Sequence, residues 1–289
     1  MIILFKQKER VMSGVFFVSA FMSIVSLVLI IVFMFTNGIP VMMKYGVNEF
    51  LFGTVWRPTA SVPSFGLFPM ILGSIYVTTG ATIIGVPIGI LTAIFMAEYC
   101  PKNLYKVLKP GISLMASIPS IVYGFFALQL VVPIVRDYIG GNGYSMLTAM
   151  LLLAIMILPT VIELSESAIR AVPRSYYNGS IGLGATHERT IFNVMLPAAS
   201  SGVLSSIVLG IGRAIGETMA VVLIAGNQPI IPDSLLSGVR TLTTNIVLEM
   251  SYAAGDHRQA LIATGVILFI FILIINSVFI VIKNREDAK

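Results

Sequence analysis

Six apolar stretches divide this 289-residue chain, and each is long enough to cross a lipid bilayer. A bilayer core is about 30 Å thick and an α-helix rises about 1.5 Å per residue, so about 20 apolar residues suffice for one crossing. The stretches occupy residues 13–36, 71–97, 111–135, 145–166, 199–226 and 259–282. This pattern predicts an all-α membrane protein with six transmembrane helices.

The amino-acid composition excludes a soluble globular domain. Hydrophobic residues make up 57% of the chain and charged residues 11%, whereas soluble domains contain about 25% charged residues. The formal net charge of +5 does not indicate a nucleic-acid partner, because the basic residues are spread over short loops. Lys6, Lys8 and Arg10 precede the first apolar stretch as in a signal peptide, but the stretch is too long for one, so we interpret it as a retained helix.

Lysine and arginine residues predict the orientation of the chain in the membrane. Most of the 18 basic residues lie at the two termini and in the second and fourth connections between apolar stretches. An even number of crossings places both termini on one side. The positive-inside rule then predicts a multi-pass protein of the plasma (inner) membrane with both termini in the cytoplasm.

One apolar stretch, residues 203–227, carries two charged residues, Arg213 and Glu217. Arg213 falls near the middle of the stretch, where an ionised side chain costs about 2.5 to 3.5 kcal/mol unless it faces a partner or a wet cavity. A continuous helix would place Glu217, four residues later, on the same face. Two interpretations remain open: a buried ion pair that fixes helix packing, or a gate on a transport path where the Arg guanidinium contacts an oxyanion.

Two other apolar stretches contain unusual residues: one contains a proline, and the other ends with two acidic residues. Pro119, between Ser117 and Ser120, removes a helical hydrogen bond, so the third stretch predicts either a broken helix beside a cavity or a kink in a packed helix. Glu163 and Glu166 close the fourth stretch near its cytoplasmic end. We expect both carboxylates to be solvated or bonded to loop residues, with Glu163 alternatively reaching a pathway.

The fourth connection, residues 167–197, is long for a loop within a helix bundle, and we call it the elbow. Its apolar residues at helical spacing, the stop at Pro173 and a glycine-rich middle predict two short amphipathic helices joined by a tight glycine bend. An uncovered apolar face there would be a docking surface for a partner. The alternative is that this face packs on its own bundle.

The sequence contains no pattern that indicates catalysis, a cofactor or a metal. The P-loop pattern G-x-x-x-x-G-K-[ST] is absent, so this chain does not hold ATP in that way. His187 and His257 lie in different loops without a cluster of cysteine or carboxylate ligands. No Ser-His-Asp arrangement is evident. The chain is therefore predicted to be a transport component and not an enzyme.

The elbow resembles the cytoplasmic loop of permease subunits of ATP-binding-cassette (ABC) importers. In that family the loop carries Glu-Ala-Ala, three residues, Gly, nine residues and Ile-x-Leu-Pro, and it docks a separate ATPase subunit. The acidic residue is absent here, because Asn-Gly-Ser occupies the Glu-Ala-Ala positions. The docking positions that the resemblance implies are Asn178, Gly179, Ser180, Gly184, Leu196 and Pro197.

Longer strings resemble the phosphate-specific permeases of the PstC type. They run in the same order from residue 52 to residue 227 and include LFGTVWRPTASVPSFGLFPMILGS, SIPSIVYGFFAL, VPRSYYNGSIGLGAT and GRAIGETMAVVLIAGN. The resemblance implies a type I ABC importer (MetI-like) permease fold with a cytoplasmic coupling helix. It also implies a PstA-type permease as heterodimer partner, two PstB-type ATPase subunits and a PstS-type phosphate-binding protein, with no cofactor.

These patterns divide the chain into three parts. Residues 1–70 are an N-terminal transmembrane helix and an external interfacial segment whose Gly, Pro and aromatic residues favour short helices; residues 71–282 are the permease core; residues 283–289 are a cytoplasmic tail. The expected function is that of a permease subunit of an ATP-driven phosphate importer. The alternatives are a permease for phosphonate, sulfate or molybdate, and a channel or carrier that is not coupled to ATP.

Overall fold

The structure is a computed structural model that describes the backbone of residues 2–287 and the side-chain surroundings of residues 12–282. The N-terminal basic residues and the side chains of the predicted tail, residues 283–289, lie outside this description. The elements are α1 (Ile2–Tyr45), α2 (Val47–Phe52), β1 (Trp56–Arg57), β2 (Ser64–Phe65), α3 (Phe68–Ile94), α4 (Lys102–Ser117), α5 (Ser120–Gln129), α6 (Val131–Ile134), α7 (Met146–Ala171), α8 (Arg174–Gly182), α9 (His187–Thr190), α10 (Leu196–Ala198), α11 (Ser200–Gly216), α12 (Met219–Ile224), α13 (Leu242–Glu249) and α14 (Gly255–Asp287). Short π-helical turns occupy Phe95–Tyr99, Val135–Ile139 and Ile191–Met195.

Among the described residues, five helical stretches are long and apolar enough to cross a membrane, and a sixth is obtained if one bent pair counts as a single span. The bent pair joins His187–Ala198 to Ser200–Gly216 at an angle of 70°. The five stretches are Met12–Tyr45, Phe68–Tyr99, Ser120–Ile139, Met146–Ala171 and Gly255–Ile282. The prediction of a multi-pass helical membrane protein is therefore confirmed.

The centre of the bundle is α7, which packs against α3 and α11. Small residues at these contacts let the helix backbones approach each other. A Cβ added to Gly85 of α3 would lie 2.9 Å from the carbonyl oxygen of Ala154, and one added to Gly210 of α11 would lie 3.0 Å from Val161 Cγ2. Ile157 of α7 is fully buried in this core. Gly85 and Gly210 therefore allow α3 and α11 to pack closely against α7.

The end of the bundle opposite the elbow is closed by a polar cluster under the β1–β2 hairpin. The Trp56 indole N–H donates to Glu249 Oε2 at 2.9 Å, and Arg240 Nη1 donates to Glu249 Oε1 at 2.6 Å. His257 Nε2 lies 2.8 Å from Glu249 Oε2. Trp56, Glu249 and His257 are buried and Arg240 is half-buried, so these partners offset the cost of taking the carboxylate out of water.

The N-terminal part differs in places from the prediction. Helix α1 continues to Tyr45, beyond the predicted end at residue 36, and packs along α14. A Cβ added to Gly38 would lie 2.9 Å from Ala263 Cα, so the two helices touch closely. Helix α2 is one of the expected short helices, whereas the hairpin was not predicted because two-residue strands are too short to produce a periodic pattern.

Candidate functional site

The stretch that carries Arg213 and Glu217 is not one continuous helix. Helix α11 ends at Gly216, Glu217 has extended backbone angles (φ −68°, ψ 131°), and α12 begins at Met219. We call residues 216–219 the first break. The prediction that Glu217 shares a helical face with Arg213 is wrong, because the helix ends between these two residues.

Side chains satisfy the backbone groups that the first break leaves free. Glu217 Oε1 accepts hydrogen bonds from the backbone N–H groups of Thr218 at 3.1 Å and Ala220 at 3.2 Å. The Thr218 hydroxyl donates to the carbonyl oxygen of Gly216 at 3.1 Å, and the Thr243 hydroxyl donates to that of Glu217 at 3.0 Å. Non-helical backbone at membrane depth occurs where it is buried in protein or lines a cavity, and where its polar groups find partners.

A second break lies at Pro119, where the sequence predicted a broken or kinked helix. Helix α4 ends at Ser117 and α5 begins at Ser120, so the helix is broken. The Tyr123 hydroxyl donates to the carbonyl oxygen of Met115 at 2.9 Å and satisfies one carbonyl that the proline leaves free.

The two breaks are neighbours because α5 packs on α12. A Cβ added to Gly124 of α5 would lie 2.7 Å from Ala220 Cα, so this contact requires glycine. Interrupted helices that meet inside a bundle form substrate sites in many transporters, because their unwound backbone and helix ends are available to a ligand. The pair of breaks is therefore the candidate site.

Arg213 lies in the last turn of α11 and is half-buried. Its Nη1 donates to Thr160 Oγ1 of α7 at 3.3 Å, and its charge interacts with Tyr123 of α5. No ion pair joins Arg213 to Glu217 within residues 12–282. The ion pair that the sequence suggested is absent because the Glu217 carboxylate turns away to bind the N-terminus of α12. Most guanidinium donors of Arg213 thus lack a hydrogen-bond partner in the described part of the chain.

Glu163 extends the polar groups around Arg213 along α7. It lies three residues after Thr160, so the two side chains share a helical face. Glu163 is half-buried and accepts a hydrogen bond from Ser113 Oγ of α4 at 2.6 Å. Polar side chains from α4, α7 and α11 therefore lie close to the two breaks.

Glu166 is buried, so the expectation that it would be solvated is wrong. It binds residues of the predicted second and fourth connections, which are helical here and not loops. Its carboxylate accepts from the Tyr105 hydroxyl at 2.7 Å, from Lys109 Nζ at 2.9 Å and from Arg170 Nε at 2.8 Å. The hydrogen bond to Glu166, together with burial, raises the pKa of Tyr105 above its ordinary value, so this hydroxyl keeps its proton. Glu166 therefore ties α4 to α7 and is a structural group.

The elbow adopts the predicted arrangement of short helices and a glycine bend. Gly184 has φ +87°, its N–H donates to the carbonyl oxygen of Ile181 at 2.9 Å, and the N–H of Ala185 donates to that of Ser180 at 3.2 Å. This is a Schellman motif, in which glycine at a positive φ ends a helix. The motif stops α8 and turns the chain towards α9.

The docking positions implied by the resemblance lie on both arms of the elbow. Asn178, Gly179 and Ser180 are in α8, whereas Leu196 and Pro197 begin α10. A Cβ added to Gly179 would meet no atom within 4 Å, so this side of α8 faces open space. The structure thus leaves part of the elbow uncovered by its own bundle.

Leu183, at the end of α8, is 92% exposed. Sequence reasoning treated it only as one of several apolar elbow residues. The elbow is joined to the π-helical turn Phe95–Tyr99, which continues α3, by Arg174, whose Nη1 lies 2.8 Å from Glu98 Oε2. An anchored helix pair with an exposed leucine at its bend is a suitable surface for a partner.

A family model matches residues 85–286 of this chain, and the family is described as "Binding-protein-dependent transport system inner membrane component". The chain belongs to this family. It is also 39% identical to the "Probable ABC transporter permease protein YqgH" of Bacillus subtilis, over 89% of this chain and 86% of that protein. It is 32% identical to the "Phosphate transport system permease protein PstC" of Pasteurella multocida, over 83% of this chain and 81% of that protein.

Solved structures of ABC transporters share the fold. The chain is similar to a subunit of the inward-facing MetNI methionine ABC transporter, with a TM-score of 0.62, 18% identity, and coverage of 76% of this chain and 95% of that chain. It is also similar to a bacterial ABC transporter involved in alginate import, with a TM-score of 0.64, 13% identity, and coverage of 93% and 96%. The predicted MetI-like permease fold is confirmed, and this chain is a transport component.

Sequence reasoning missed three threonines at the site: Thr160, Thr218 and Thr243. Thr218 directly follows Glu217, and its position next to a charge in an apolar stretch was the one local signal available. Thr160 follows a proline in α7, and Thr243 lies in a connection without a periodic apolar pattern. Only their contacts in space identify the last two.

Proposed function

We propose that this chain is the permease subunit of an ATP-driven importer of inorganic phosphate, with Arg213 and Glu217 acting as the gate. The observation that carries the proposal is the position of Arg213. It lies beside two adjacent helix breaks, has one hydrogen bond to another side chain, and keeps most of its guanidinium donors available. Similarity to PstC proteins over most of the chain supports phosphate as the substrate.

The chemistry of the site fits an oxyanion. A guanidinium can donate two parallel hydrogen bonds to phosphate oxygens, and it does so more strongly where water is scarce. The Glu217 carboxylate could accept a hydrogen bond from the proton-bearing oxygen of HPO₄²⁻, a proton that sulfate lacks. Glu163 and the residues of the second break, Ser117, Pro119 and Ser120, would line the path next to the gate.

The transport cycle requires partners outside this chain. We infer that a PstA-type permease forms the other half of the pathway, that two PstB-type ATPase subunits dock on the two elbows, and that a PstS-type binding protein delivers phosphate. Both termini and the elbow would lie in the cytoplasm, as the distribution of basic residues suggests. ATP-driven closure of the ATPase subunits would move the elbows and switch the bundle between inward-open and outward-open states.

The test is phosphate uptake by the complete complex in which Arg213 is replaced. Arg213→Gln should lower uptake at least tenfold without reducing the amount of complex in the membrane, because the substitution removes the charge that attracts the anion. Arg136→Gln is the matched control, since Arg136 is exposed and pairs only with the adjacent Asp137. Normal uptake in Arg213→Gln would reject the gate. Uptake of sulfate, molybdate or phosphonate in place of phosphate by the unaltered complex would reject phosphate as the substrate.

A further inference from the structure

Thr243 holds the peptide carbonyl at the centre of the first break. It lies in the first turn of α13, whose N-terminus is fixed by a capping box between Thr241 and Thr244. From there the Thr243 hydroxyl donates to the carbonyl oxygen of Glu217 at 3.0 Å, across a separation of 26 residues. The Thr243 side chain is buried, so water does not readily replace this donor.

The carbonyl oxygen of Glu217 accepts a hydrogen bond from Thr243 here, but it would have another donor in a continuous helix. If α11 continued into α12, the carbonyl of Glu217 would accept from the N–H of Val221 four residues later. The Glu217 side chain would then lie on the same face as Arg213, in position to form an ion pair. In the broken form the Glu217 carboxylate instead binds the N-terminus of α12.

We propose that Thr243 is a positioning residue that keeps the chain broken at Glu217 and so keeps the Glu217 carboxylate away from Arg213. This inference rests on the proposed function, because it assumes that a free Arg213 guanidinium receives the anion. Without the hydroxyl, the Glu217 carbonyl is left buried and unpaired, which favours the continuous helix. The equilibrium then shifts to a state in which Glu217 competes with phosphate for Arg213.

The first experiment compares three variants in the complete transport complex. Thr243→Val keeps the shape but removes the hydroxyl, and Thr243→Ser keeps the hydroxyl. Thr264→Val is the matched control, because Thr264 is equally buried but its hydroxyl bonds to Ala260 within its own helix. We expect phosphate uptake to fall about tenfold in Thr243→Val, the loss typical of an unmade buried hydrogen bond, and to stay within about twofold of normal in the other two.

The second experiment reports on the break itself. Cys100 is the only cysteine of the chain, so Cys100→Ser provides a background in which Met219→Cys, the 48% exposed first residue of α12, is the single thiol. Adding Thr243→Val should change the rate of maleimide labelling at this position severalfold. Adding Thr243→Ser or Thr264→Val should leave the rate unchanged.

Each outcome decides the role of Thr243. Normal uptake in Thr243→Val, unchanged labelling of Met219→Cys, or an equal loss in Thr264→Val would overturn it. If Thr243→Val reduces the amount of complex, the complex that still forms is purified, and the labelling rate of its Met219→Cys thiol decides whether the break has changed. Lost uptake in Arg213→Gln with normal uptake in Thr243→Val would reject the positioning role alone, whereas normal uptake in Arg213→Gln would reject the proposed gate, on which the positioning role rests.

Discussion

At the scale of single residues, Glu217 has an observed role as a helix cap and a proposed role in the gate, and both would use its carboxylate. Its carboxylate accepts hydrogen bonds from two backbone N–H groups at the start of α12, which stabilises the helix end. Its negative charge also lies four residues from Arg213 in a part of the chain that is otherwise apolar. Substitutions that separate hydrogen bonding from charge can therefore distinguish a cap from a gate.

Glu217→Gln should preserve the cap and abolish the charge. The amide oxygen can still accept from Thr218 and Ala220, so we expect the complex to assemble normally while phosphate uptake falls at least tenfold. Glu217→Ala should lose both functions and reduce the free energy of unfolding by about 0.5 to 2 kcal/mol, the usual cost of a lost cap. Uptake assays and thermal unfolding of the purified complex measure the two effects. Full activity in Glu217→Gln would mean that the carboxylate serves only as a cap.

Glu166 is the opposite case, because its described hydrogen bonds lie within α7 or join α7 to α4, and none is made to a residue of the two breaks. Glu166→Ala should reduce the free energy of unfolding by about 2 to 4 kcal/mol, because it removes a buried carboxylate that binds Tyr105, Lys109 and Arg170. The lower part of this range applies if the two partly exposed cations find water instead. Thermal unfolding of the detergent-solubilised protein tests this. Glu188→Ala, at an exposed position, is the control and should change stability little.

At the scale of elements, the elbow is an anchored pair of short helices with an exposed bend. The Schellman motif at Gly184 fixes the bend, and the Arg174–Glu98 ion pair connects the elbow to the end of α3. The elbow is thus in contact with the end of α3, which packs on α7 at the centre of the bundle. This geometry suits the proposed coupling between an ATPase and the site.

Leu183→Asp should disrupt docking without disturbing the fold. Because Leu183 is 92% exposed, we expect the amount of protein in the membrane to stay normal. Co-purification of the ATPase should fall at least tenfold, since a charge would replace an apolar anchor. Val62→Asp, at an 81% exposed position in the hairpin turn at the other end of the bundle, is the control. Unimpaired assembly of Leu183→Asp would show that the bend is not the docking surface.

At the scale of the whole molecule, the two ends of the bundle differ in construction. One end carries the elbow, and the other carries the β1–β2 hairpin over the buried cluster around Glu249. The long helices between them expose many large apolar side chains, which is expected of surfaces that face lipid or another membrane subunit. From the positive-inside rule we propose that the elbow end faces the cytoplasm.

Thiol labelling of intact cells can test this orientation. In the Cys100→Ser background, Val62→Cys should react with a membrane-impermeant maleimide from outside. In cells that lack the proposed ATPase partner, Leu183→Cys should react only after the membrane is permeabilised. Both positions are highly exposed in the chain itself, so access through the membrane and not burial decides the result. The reverse pattern would invert the proposed topology.

Features that depend on neighbours along the chain could be predicted from the amino-acid sequence alone. Apolar stretches of bilayer length predicted the helices, Pro119 predicted a break or a kink where the ring removes a hydrogen bond, and the glycines of the elbow predicted its bend. Each of these effects acts within a few residues, so local patterns are enough to reveal them. The likeness to permeases of ABC importers was visible in the same way.

The partners that the charged residues bind, by contrast, depend on contacts between distant parts of the chain. Helical spacing placed Glu217 against Arg213, yet the helix ends between them, and Thr243, 26 residues further on, donates to the carbonyl of Glu217 at the break. Glu166 lies near a helix end in the sequence, yet Tyr105, 61 residues earlier, helps to bury it. The physical reason is the same in both cases: a polar group buried in an apolar setting needs a hydrogen-bond partner, and the fold can bring that partner from a distant segment.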